Sequence, residues 1–192
     1  MKILLLLIGS ALVNNLVLSR LLGVCPLLGA SGSPETAVGM GLAMTFMLTL
    51  AGMVAWLLQT LLLGPWHLAF LRPALFILAI ACLARVADAL LARLDLPGHP
   101  AWRLHLPLVT TNCAVLGLAL LAADQSRSLW ESATLGFGSG AGFALALAIL
   151  AGLRDELRYA DLPRAFRGGA VALLLAGLMS LSFLGFGGLA GR

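Results

Sequence analysis

The sequence predicts an all-α membrane protein: a single integral membrane domain over 1–192, with six transmembrane helices arranged as two inverted three-helix repeats. Three observations lead there. Hydrophobic residues make up 61% of the chain and charged residues 10%, against about 45–50% and about 25% in ordinary soluble domains. No Asp, Glu, Lys or Arg occurs in 3–19, 36–71, 104–123, 132–153 or 168–191, and a helix crosses a bilayer with roughly 20 apolar residues. Sequence landmarks of the first half also recur in the second at a nearly constant spacing. Such a chain has no room for a soluble catalytic domain. Its net charge of +4 comes from residues at predicted helix ends, which speaks against a nucleic-acid surface.

The helices follow in order. The first covers about 2–22. Lys2 and the apolar residues 3–8 resemble the start of a signal peptide, but the run continues through Leu16-Val17-Leu18 without an A-x-A site, so a retained helix is expected. Segment 23–34, GVCPLLGASGSP, holds three glycines and two prolines yet stays apolar. A stretch of this kind can re-enter the membrane where protein shields its backbone. The second helix, 36–63, stops at Gly64-Pro65, and the third, 72–93, stops before Pro97-Gly98-His99-Pro100. The fourth is 104–123 and the fifth 131–152. The sixth, 169–187, follows Pro163 and Phe166-Arg167-Gly168-Gly169.

An even number of helices puts both termini on one side. The other side carries Arg93, Arg103, Arg154, Arg158, Arg164 and Arg167, with Arg20 and Arg85 near its helix ends. The terminal side carries Lys2, Arg72, Arg127 and Arg192. Eight against four puts the odd-numbered loops in the cytoplasm. Both termini are then periplasmic.

The repeats are about 1–95 and 96–192. Leu12-Val13-Asn14-Asn15 recurs as Leu108-Val109-Thr110-Thr111, and Glu35-Thr36-Ala37 as Glu131-Ser132-Ala133, each 96 positions later. With one inserted residue, Gly39-x-Gly41 matches Gly136-x-Gly138, and Leu71-Arg72 matches Phe166-Arg167. Three helices per copy invert the second copy. Inverted repeats place functional sites near the midplane, often with broken helices, here expected in helices 1 and 4.

Polar atoms inside the membrane are costly and tend to be functional. They concentrate at Asn14 and Asn15, and at Thr110, Thr111 and Asn112. Ordinary hydrogen bonding between helices competes with a functional reading of each. Both clusters fall beside a cysteine. Cys113 lies nine residues into the fourth predicted helix. Cys25 can approach the same depth if helix 1 breaks near Asn14-Asn15. Chemistry alone leaves these thiols open to three readings: a disulfide, packing thiols, or ligands of an iron–sulfur centre. The last needs four thiolates, so two cysteines make half a site. Cys82 has no polar neighbour and reads as packing.

Other features carry less. His67, His99 and His105 do not cluster. Gly136-x-Gly138-x-Gly140-x-Gly142 lies in an apolar span without a preceding strand, so close helix packing is expected rather than phosphate binding. Arg85 and Asp88 stand one helical turn apart and can pair, as snorkelling residues or as part of an ion path.

Five stretches together carry a family resemblance: ALVNN (11–15), GVCP (23–26), ETAVGMGLAMTF (35–46), LPLVTTNCAVLGLALL (106–121) and YADLPRAFRGGAVALLLAGLMSLSFLGF (159–186). The chain resembles, over residues 12–186, the membrane subunits of Rnf electron-transport complexes and of Na⁺-translocating NADH:quinone reductases. The resemblance implies a subunit without turnover of its own, in an inner-membrane complex that couples electron transfer between ferredoxin or flavodoxin and NAD to Na⁺ or H⁺ movement. It implies a homologous membrane subunit of opposite orientation as partner, and a shared intramembrane [2Fe–2S] cluster with two cysteines from each. The family's cysteines match Cys25 and Cys113. Asn14, Asn15, Thr110, Thr111 and Asn112 would then surround the cluster ligands or line a transient ion path. The competing class is a small six-helix secondary transporter with inverted repeats, which has no need of the cysteine pair.

Overall fold

The computed structural model describes residues 7, 9–13, 15–64, 69–93, 112–125, 128–157 and 168–190. Every regular element among them is helical. After a π-helical turn at Gly9–Val13 come α1 (Leu16–Arg20), α2 (Val24–Ala30) and α3 (Pro34–Leu58), the last continuing as a π-helical turn, Gln59–Leu63. A 3₁₀ turn, Ala69–Leu71, leads into α4 (Arg72–Arg93), followed by α5 (Cys113–Gln125), α6 (Leu129–Glu156) and α7 (Gly169–Ala190). Pro34–Leu63 and Leu129–Glu156 are long and apolar enough to cross a membrane, and Cys113–Asp124 and Gly169–Gly185 are shorter apolar helices.

The two long helices start alike. Ser33 and Ser128 are extended N-caps whose hydroxyls accept the N–H of Thr36 and of Glu131. Pro34 at the first helical position needs no donor. Glu35 and Glu131 sit where the helix dipole favours negative charge.

α3 and α6 cross antiparallel at the centre, and the glycines explain how. A Cβ on Gly41 would meet Ala144, one on Gly140 would meet Thr45, one on Gly136 would meet Leu48 and Thr49, and one on Gly52 would meet the Ser132 carbonyl. One residue number rises as the other falls, which is antiparallel contact with backbones touching. The expected packing role of the Gly136–Gly142 series holds, and it splits between two faces. Gly136 and Gly140 face α3, whereas Gly138 and Gly142 face Ser10 and Ala11 of the first π-helical turn. Ser132 adds a hydrogen bond from its hydroxyl to the Gly52 carbonyl at 2.6 Å.

The core around this crossing holds Met40, Met44, Met47 and Leu48 of α3, Val115 and Leu118 of α5, and Phe143, Leu147 and Leu150 of α6. Outside it, large apolar residues stand exposed, among them Leu42 at 68%, Leu78 at 70% and Leu181 at 70%. An apolar exterior around a tightly packed interior suits a lipid solvent. α4 packs at the periphery through Phe76, Ile80 and Ala84, which share a face at intervals of four.

Two predicted elements need correction. The first helix, 2–22, is not continuous: Asn15 is non-helical between the π-helical turn and α1, so the expected break is present. The fourth, 104–123, does not run unbroken through its middle. Asn112 is non-helical and α5 begins at Cys113, while residues 94–111 lie outside the described residues. Cys113 is therefore the first residue of a helix rather than nine residues into one. The cause is local: the Asn112 side chain caps the helix that starts there.

Candidate functional site

Asparagine builds both breaks. The Asn112 Oδ1 accepts the Ala114 N–H at 3.0 Å, and its backbone carbonyl accepts from Val115 at 3.1 Å and from Leu116 at 3.5 Å. The Asn15 Oδ1 accepts the Val17 N–H at 3.1 Å. Each is an N-cap, with the side-chain oxygen taking the amide of the second helical residue. Each also donates across the molecule. The Asn15 Nδ2 donates to the Gly142 carbonyl at 2.9 Å, and the Asn112 Nδ2 donates to the Met44 Sδ at 3.4 Å. Both residues are buried, at 1% and 5% exposure, so losing a partner would leave a polar group stranded. The matching roles fall on residues 97 positions apart, one off the 96-residue spacing that pairs Asn15 with Thr111. Asn14, Thr110 and Thr111 lie outside the described residues.

The two cysteine motifs meet. α1 ends at Arg20, and the chain turns through Leu21, with φ 52°, into Gly23, with φ 86°. Gly23 caps α2, placing Cys25 second in that helix. The Gly23 N–H donates to the Cys113 Sγ at 3.1 Å. A Cβ on Gly23 would lie 3.1 Å from the Ala114 Cβ and 3.2 Å from both the Asn112 Oδ1 and the Phe143 ring. Glycine is needed here twice, for its left-handed backbone and for its lack of a side chain. Both sulfurs thus sit in the first turn of a helix, where free N–H groups and the backbone dipole favour negative charge.

Both thiols are free and exposed in this chain. Among the described residues, no group of three or more His, Cys, Asp or Glu could hold a metal ion. Cys25 and Cys113 are the thiols that these two adjoining segments could offer a metal. α2 is held from its far end. The Arg154 guanidinium, at the end of α6, donates to the Leu28 carbonyl at 3.2 Å and to the Ser31 hydroxyl. That hold satisfies orphan carbonyls at a helix C-terminus with a cation. α1 is held similarly, by the Ser180 hydroxyl of α7 donating to the Leu18 carbonyl.

The remaining sequence expectations divide. Cys82 is exposed rather than packed in this chain, because Phe76, Ile80 and Ala84 turn the opposite face of α4 inward. Arg85 is exposed, and the Asp88 side chain lies outside the described residues, as do His67, His99 and His105. An ion pair that sequence reasoning did not foresee joins Arg72, at the start of α4, to Asp124, near the end of α5. Gly23, Met44 and Arg154 were not candidates either. Gly23 had a readable signal, a glycine opening a short apolar helix two residues before a cysteine. Met44 had none, since it reads as core.

These residues define a helical membrane protein that presents two thiols, Cys25 on a helix capped by Gly23 and Cys113 on a helix capped by Asn112. Residues 3–190 match the model of a family described as Rnf-Nqr subunit, membrane protein, and the chain belongs to that family. Relatives named as the A-type subunit of an ion-translocating oxidoreductase complex are similar over nearly full length. The one from Shewanella amazonensis is 49% identical, covering 97% of each chain. That from Glaesserella parasuis is 48% identical over 96% of each. That from Syntrophotalea carbinolica is 48% identical over 98% of this chain and 97% of its own.

Proposed function

We propose that this chain is the corresponding membrane subunit of an ion-translocating oxidoreductase complex in the bacterial inner membrane, and that Cys25 and Cys113 supply half the ligands of a [2Fe–2S] cluster shared with a homologous membrane subunit of opposite orientation. One observation carries the reading: the hydrogen bond from the Gly23 N–H to the Cys113 Sγ, which joins the two cysteine-bearing breaks. The donor set fits. Such a cluster takes four thiolates, and hydrogen bonds to its sulfurs tune its potential. When bound, it supplies one-electron transfer.

This chain's own residues do the rest. Gly23 donates to the Cys113 sulfur. Asn15 and Asn112 fix the starts of α1 and α5, and Arg154 fixes α2. Asn14, Thr110 and Thr111 are further candidates for hydrogen bonding around the thiols or for a transient ion path. The antiparallel α3–α6 crossing and the matched roles of Asn15 and Asn112 support two inverted repeats within six spans. Electrons passing between ferredoxin or flavodoxin and NAD reach this chain through other subunits, and the coupled ion is Na⁺ or H⁺.

The test is iron and acid-labile sulfide analysis of the chain purified with its membrane partner. About two irons per pair are expected. Cys25→Ser and Cys113→Ser each lose them, and Cys82→Ser keeps them. Retention of iron in both of the first two variants overturns the proposal, and so does its absence from the wild-type pair.

A further inference from the structure

We infer that Met44 is a positioning residue for Cys113, acting through the Asn112 carboxamide. The significance of that position rests on reading Cys113 as a ligand; the physical linkage does not. Met44 is fully buried in the middle of α3, with Met40 and Met47 buried on either side. Its sulfur accepts from the Asn112 Nδ2 at 3.4 Å. The orientation of that carboxamide is fixed, because reversing it would set an NH₂ group against the Ala114 N–H. Asn112 then sets the first turn of α5, and that turn begins with Cys113.

The comparison with Asn15 singles Met44 out. Both asparagines cap a break and reach across to the opposite long helix. The Asn15 amide donates to two carbonyls, those of Gly142 at 2.9 Å and Ala11 at 3.2 Å. The Asn112 amide donates to a thioether, which is a weak acceptor. The Asn112 amide therefore has a weaker acceptor than the Asn15 amide. A shift of α3 against α5 can reach the first turn of α5 through this soft contact as well as through the apolar packing, and Met44 sets the strength of the polar link. A leucine there would fill the space and leave the buried Asn112 donor unpaired.

The experiment uses the intact complex with Met44→Leu, a swap that conserves volume. Amide hydrogen exchange is read for peptides covering 113–117 and 16–20, together with the electron paramagnetic resonance line shape of the bound metal. The loss of one modest hydrogen bond predicts an exchange rate higher by about 2- to 10-fold at the first turn of α5. Peptide 16–20 stays unchanged, and the line shape alters. Met44→Gln, which returns an acceptor oxygen, restores both readouts. Asn112→Ser keeps a cap oxygen but cannot reach Met44, and gives the same rise without touching α3. Unchanged exchange in Met44→Leu and Asn112→Ser overturns the inference, as does an equal rise in both peptides. If the wild-type complex proves free of iron and Met44→Leu still raises exchange only in 113–117, the cluster reading sinks and the hold of Met44 on the first turn of α5 stands.

Discussion

At Gly23, a single backbone amide links two stretches of chain 90 residues apart. Its φ of 86° lies where a side chain costs about 1–2 kcal/mol, and the added Cβ would press on Ala114, Asn112 and Phe143. Two of those are backbone-anchored or ring atoms in the core, so they have little room to give. Gly23→Ala is expected to destabilise the chain by about 1–3 kcal/mol and to move its N–H off the Cys113 sulfur. Thermal unfolding of the purified complex measures the first effect. A changed paramagnetic signal at wild-type iron content measures the second. At this scale the sequence was readable wherever a residue was chemically out of place. Asparagine and cysteine stand out among leucines, because burying a polar group without a partner is expensive. Met44 did not stand out, since methionine is ordinary in such helices and its role arises only from what packs beside it.

Among the elements, glycine is informative only in pairs of helices. Gly140 has the Thr45 backbone against its α-carbon, whereas Gly177 of α7 has nothing within 4 Å. Gly140→Leu should therefore force α3 and α6 apart and cost several kcal/mol, overpacking alone being about 1–3. Gly177→Ala should be neutral or slightly stabilising, since alanine is the better helix former by about 1 kcal/mol. Melting temperatures of the two variants in detergent give the contrast, and equal effects would contradict the close crossing. The glycine series predicted tight packing from sequence but not which partner each residue meets. Breaks in helices 1 and 4 were expected, near Asn14-Asn15 in the first, but the residue at which each helix restarts was not legible, for a related reason. Hydropathy runs straight through Asn15 and Asn112, and only their capping bonds show that the helix restarts there.

For the molecule as a whole, the antiparallel crossing sorts the polar ends. Arg154 meets Leu28 and Ser31 at one end of the α3–α6 pair. Arg72 meets Asp124 at the beginning of α4 and the end of α5, on the side where α6 starts. The Glu156 end of α6, after which the sequence is arginine-rich, thus shares an end with the α2–α3 turn, and the Leu129 end lies at the other. Because positive charge is retained in the cytoplasm, the charge rule predicts a cytoplasmic Glu156 end of α6 and a periplasmic Leu129 end. A periplasmically active reporter such as alkaline phosphatase distinguishes the two orientations. Fused after Gln125 it should be active, and fused after Leu157 it should be silent. The reverse pattern would invert the chain. Orientation therefore tests the charge rule on its own. With the Arg154 end inside, the Arg154 bonds to Leu28 and Ser31 would hold the C-terminal end of α2 at the cytoplasmic end of the α3–α6 pair.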